Sequence, residues 1–133
     1  MEDRFNEATP QRPKDGHLLD APMIIMDLLS LVKQIKEEQP WNNSDRNAMT
    51  IFKTNGMCIV LVALHAGAEM KTHTASGIIS VQVLDGQITF STKQQSVELG
   101  NGQMLALHED IPHSVLAEKE TTFLLTIAKY FQQ

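Results

Sequence analysis

Four of the five histidines in this chain fall between His65 and His113. Imidazole ligates divalent metals, titrates near neutral pH and hydrogen-bonds through either ring nitrogen, so such clustering marks a candidate for binding or catalysis. Two glycine-bounded segments carry three of them, Gly67-AEMKT-His73 and Gly102-QMLALHEDIP-His113, the second also containing His108. His65 closes the apolar run MCIVLVALH. His73 and His113 are the leading candidates, with His65 and His108 as weaker ones. The acidic Glu69, Glu109 and Asp110 lie nearby, but loop carboxylates are ordinarily solvated, and Asp110 before Ile111-Pro112 has the chemistry of a turn. Met70 and Met104 read as gap fillers. His17 lies in a polar stretch and is expected to face solvent.

The elements that must hold these residues are strands. From Asn47 onward apolar residues recur at a period of two rather than at helical spacing. NAMTIFKT, MCIVLVALH, ISVQVL, QITFST, SVEL, QMLALH, HSVLAE and TTFLLTIAKY read as short strands. Asn55-Gly56 and Asp85-Gly86 mark two tight hairpin turns. HAGAEMKTHTAS reads as a loop-rich approach to the next strand. MCIVLVAL is apolar on both faces, which suits a strand with one face in a barrel lumen and the other under a helix or at a dimer interface. Ahead of the strands, Asp27 is a plausible N-cap. LLSLVKQIKEEQ follows, with Leu28, Leu31, Val32 and Ile35 on one helical face, and Pro40 stops its continuation. The expected division is a flexible arm over residues 1–20 and one barrel domain over 21–133, with a helix at about 27–39. An all-β barrel or sandwich is the natural class, and a parallel α/β sheet is excluded because no helical pattern separates the strands.

At 133 residues the chain is long enough to bury a core without disulfides or metal. A net charge of −5, with no clustering of Lys and Arg, argues against nucleic acid as a partner. The longest apolar run, Met57 to Leu64, is too short to span a bilayer, so no membrane partner is expected. The opening residues lack the apolar centre of a secretory signal. The single cysteine, Cys58, reads as a small core hydrophobe and fits a reducing, cytoplasmic setting.

The spacing of the central stretch resembles the small single-domain cupins. Their first motif is Gly, five residues, His-x-His, three or four residues, Glu, six residues, Gly. Gly67, His73, Ala75, Ile79 and Gly86 fall on that frame. The second motif is Gly, five residues, Pro-x-Gly, two residues, His, three residues, Asn. Gly102, His108, Asp110, His113 and Ala117 occupy those positions in register. The resemblance implies a cupin-type double-stranded β-helix, or jelly roll, with one N-terminal helix packed outside, assembled as a homodimer. It also implies four metal-ligand positions, of which His73 and His113 fill two. Ala75 stands in place of the second histidine and Ile79 in place of the glutamate.

Catalytic divalent sites ordinarily use about three protein ligands, so the implied metal (Fe, Mn, Ni or Zn) would need His65 or His108 as a replacement. Strand alternation that turns Leu107 inward turns His108 away. Ile79, Val81 and Val83 share the inward face, so the expected site is an apolar pocket with two imidazoles as polar handles. Three functions compete for such a site. One is the binding of a small organic ligand. The second is a metal-dependent oxygenase- or isomerase-like enzyme using His73, His113 and a non-standard third ligand. The third is a structural barrel with a vestigial site. No catalytic residue is identifiable from the sequence.

Overall fold

The computed structural model describes residues 19–129. Most of the expected arm, including His17, lies outside the described residues, as do positions 130–133.

Nine strands form two antiparallel sheets. They are β1 (Arg46–Lys53), β2 (Met57–Leu64), β3 (Glu69–His73), β4 (Ile78–Asp85), β5 (Gln87–Ser91), β6 (Ser96–Gly100), β7 (Met104–Leu107), β8 (His113–Ala117) and β9 (Thr121–Ala128). The first sheet has the order β1-β2-β9-β4-β7 and the second the order β3-β8-β5-β6. The architecture is all-β, as the alternating pattern implied. The sheets enclose one apolar cluster that includes Val60, Val62, Leu64, Val81, Phe90 and Phe123. β2 serves both layers: its alternate residues Leu61 and Ala63 point outward into a second cluster with Leu31, Ile35 and Trp41. The second apolar face of β2 is therefore spent under a helix.

That helix, α1 (Leu28–Ile35), starts where the Asp27 carboxylate accepts from the Ser30 amide at 3.3 Å and from its hydroxyl at 3.0 Å. Such a cap satisfies amides that have no partner within the helix. The helix is shorter than the amphipathic stretch to Gln39 suggested. Asn47, buried on β1, donates its amide to the Ile35 carbonyl at 2.9 Å and to Glu38 at 2.9 Å. A tertiary side chain thus ends the helix before Pro40 can. Pro40 instead opens a second short helix, α2 (Gln39–Asn43), because a proline in the first turn forfeits only an amide that would be unpaired anyway.

The segment expected as a loop-rich approach contains β3. Its burial alternates poorly because it is an edge strand with solvent on one side, so periodicity alone does not reveal it. The three frame glycines, Gly67, Gly86 and Gly102, all have positive φ. The motif spacing is thus a spacing of left-handed turns.

Candidate functional site

β3 and β8 pair antiparallel, with Met70 opposite Val115 and His73 opposite His113. Three steps along β3 match two along β8, so β3 carries one extra residue between Met70 and His73. In a regular strand, residues three apart face opposite sides. The bulge cancels that inversion and puts His73 on the face of Met70, which packs against the interior cluster. His113 heads the inward face of β8, followed by Val115 and Ala117, and is 4 % exposed. The two imidazoles become a cross-strand pair with ring centroids 4.4 Å apart and planes tilted by 60°. On its other side His113 stacks on Phe90 at 5.2 Å, nearly parallel. Phe90 lies opposite Val115 on β5, diagonal to His113.

Both rings are fixed by the backbone. The His73 Nδ1–H donates to the Lys71 carbonyl at 2.7 Å, and the His113 Nδ1–H donates to the Ile111 carbonyl at 2.9 Å. A carbonyl only accepts, so Nδ1 carries the proton and the neutral ring keeps its lone pair on Nε2. Burial holds the His113 imidazolium form down, lowering its pKa. The Ile111 carbonyl opposes this, and the neighbouring His73 adds to it.

The first sheet supplies the facing wall. Register places Cys58 opposite Ile127, Ile127 opposite Ile79 and Ile79 opposite Leu107, one row of inward side chains across four strands. Short links join this row's end of the barrel to the imidazoles: His73 precedes β4 by four residues and His113 follows β7 by five. The Asp110 amide also donates to the Ala75 carbonyl at 2.9 Å, closing one link on the other. Hence the row and the histidines share one mouth. A concavity of about 100 Å³ opens at the β1–β2 turn, lined by Lys53, Thr54, Asn55, Met57, Cys58, Ile127 and Lys129, and neither imidazole lines it. Ile79, Val81 and Val83 are buried at 3 %, 2 % and 0 % exposure, so Val81 and Val83 fill the interior below the rim.

His65 and His108 do not join the pair. His65 lies just past the end of β2, stacks on Trp41 with centroids 3.5 Å apart and donates from Nε2 to the Trp41 carbonyl at 2.9 Å. Trp41 belongs to the outer cluster, so His65 serves the seam between helix and sheet. The His108 side chain is 83 % exposed, with Nδ1 3.5 Å from Glu109, while Leu107 packs inward. Asp110, in the left-handed region at φ 63°, takes the turn position where the cupin motif has glycine.

Two imidazoles fall short of the about three protein ligands that a catalytic divalent site ordinarily uses. Ala75 and Ile79, at the two other positions where the cupin motif carries a ligand, are both buried and packed in the interior cluster. Among the described residues no group of three His, Cys, Asp or Glu side chains converges as a metal site. The sequence reading missed Phe90, although alternation in QITFST already placed Ile88 and Phe90 on one face. The carbonyls that orient the rings had no sequence signal, because any residue supplies a carbonyl.

No protein-family model matches the sequence, and no curated protein matches it. Solved structures do match. A cupin superfamily protein from Desulfitobacterium hafniense superposes with a TM-score of 0.67 at 16% identity, covering 96% of this chain and 100% of that one. KdgF from Halomonas sp. gives 0.60 at 13% identity over 67% of this chain and 84% of that one. A variant of salicylate 1,2-dioxygenase from Pseudoaminobacter salicylatoxidans gives 0.72 at 16% identity over 88% of this chain but 38% of that one. The fold is the cupin barrel, here in a small form with an N-terminal helix. It is the barrel that the glycine and histidine spacing resembled, and proteins sharing it include both an enzyme and a protein of unknown function.

Proposed function

We propose that this chain binds a small organic ligand at the mouth of its barrel, with His73 and His113 as polar handles and the end of the Ile79, Val81, Val83 face as apolar wall. The observation that carries this reading is the cross-strand imidazole pair, backed by Phe90 and set against the apolar interior. Apolar walls with a few convergent polar groups are the usual make-up of such sites. A thermal-shift screen of a small-molecule library tests it. A ligand should raise the melting temperature of the chain and lose that effect in His113→Ala, by mass action on the folded state. A screen whose hits are all indifferent to His113→Ala and His73→Ala would leave the barrel as a structural module with a vestigial site.

A second reading, a metal-dependent oxygenase- or isomerase-like enzyme, draws on one observation. Histidine ligands usually donate their other ring N–H to a backbone carbonyl or carboxylate, as both rings do here. His73, His113 and a non-standard third ligand would hold the metal, Fe, Mn, Ni or Zn. Metal analysis of protein purified without an affinity tag decides it. On the ligand-binding reading, metal stays below stoichiometric after supplementation and chelation leaves the melting temperature unchanged. Stoichiometric metal that disappears in His73→Ala would reverse the order of the two readings. A cytoplasmic setting and a homodimer complete the proposal. The first rests on the lone Cys58, and the second on the exposed apolar side chains considered below.

A further inference from the structure

Resting on the reading of His73 and His113 as ligand handles, we infer that the mouth recognises ligands that bring hydrogen-bond donors, such as catechols, vicinal diols or amines, and turns bare carboxylates away from the imidazole pair. The inference comes from counting donors and acceptors. Each ring spends its one N–H on a backbone carbonyl, at 2.7 Å for His73 and 2.9 Å for His113. What remains for a ligand is two Nε2 lone pairs and no donor.

The rest of the site does not change that count. β8 and β5 carry no ionisable side chain besides His113, and Phe90 closes its far side with a ring face. On β3 and the turn before β8 the charged groups are Glu69, Lys71, His108, Glu109 and Asp110, all on the polar side of their elements except the half-buried Glu109. Lys53, Asn55 and Lys129 line a separate concavity that includes no residue of β3, β5 or β8.

A carboxylate oxygen facing two lone pairs would be buried against like partners, and an acceptor left without a donor costs enough to lower affinity about tenfold or more. A catechol reverses the sign: its two hydroxyls donate to the two Nε2 atoms, and its ring meets an apolar wall. Selection here works through an unsatisfied group in the wrong ligand as much as through contacts with the right one.

The test uses chelator-treated full-length protein with ¹⁵N-labelled histidine. Nuclear magnetic resonance first reads the tautomer of each ring, and both should carry the lone pair on Nε2. Catechol should then move both Nε2 signals, and His73→Phe, which keeps a ring but removes the acceptor, should weaken catechol about tenfold or more. Benzoate, whatever it does at Lys53 and Lys129, should leave both Nε2 signals in place. The inference is overturned by a lone pair on Nδ1 in either ring, by benzoate moving the Nε2 signals as catechol does, or by catechol at millimolar concentration moving neither. Failure of the broader ligand-binding reading shows separately, as a library screen in which no hit depends on His113.

Discussion

A histidine is informative here only once its two nitrogens are told apart. At His65 and at the His73–His113 pair the same side chain does different work, because in the first case Nε2 faces the Trp41 carbonyl and in the second it is left over. The burial of His113 also has a consequence for stability. Its folded pKa is lowered, so the unfolded chain binds protons first as pH falls. Stability should be fully present above the ordinary histidine pKa of about 6.5 and should decline as pH drops from there toward the depressed folded value. Melting temperatures of wild type and His113→Gln across that window check the sign. The variant should lose less stability on acidification. A steeper loss in the variant would contradict the assignment.

Among the elements, the edge strand β3 decides most, because its one-residue bulge determines which way His73 points. Deleting Thr72 should remove the extra residue and restore regular pairing, with His73 still opposite His113 and on the face of Met70, since residues two apart in a strand share a face. Retention of the His73–His113 contact in nuclear Overhauser spectra, with circular dichroism unchanged, is the expected result, and its loss would contradict the bulge. The turn between β4 and β5 gives a stability prediction of a different kind. Gly86 has φ 118°, and an added Cβ would lie 2.6 Å from the Glu120 carbonyl oxygen and 2.6 Å from the Thr121 Cα. Neither backbone atom can move aside cheaply. Gly86→Ala should therefore cost about 2–3 kcal/mol in denaturant unfolding through backbone strain and overpacking together.

Seen as a whole molecule, the described residues carry their most exposed large apolar side chains just ahead of and within α1. Met23, Ile25 and Leu29 are 79 %, 82 % and 86 % exposed, while Met26 and Leu28 between them pack on the outer face of the first sheet. Three such side chains so close in sequence form the kind of patch that marks an interaction site. On the proposed homodimer, the double variant Met23→Glu/Ile25→Glu should shift the species seen in light scattering from dimer to monomer. Its circular dichroism should be unchanged, because neither side chain contributes to a core. A wild-type monomer at high concentration, or a dimer indifferent to the variant, would remove the proposal. No described helix is long and apolar enough to cross a membrane.

The sequence determined the barrel, its turns and the identity of the facing positions. Two-residue alternation specifies which side chains a strand can bury, and left-handed turns accept glycine at spacings that survive as Gly67, Gly86 and Gly102. Ala75 and Ile79 were legible as the places where a metal-binding set is broken, since that required only residue types in a frame. The helix end at Ile35 was not legible, because an asparagine from β1 imposes it. Nor was the inward turn of His73, which depends on one unpaired residue in an edge strand, nor the tautomer of either imidazole, which depends on backbone carbonyls. Local pattern carries what each residue prefers. Which lone pairs remain for a ligand at His73 and His113 depends on what the folded chain has already used.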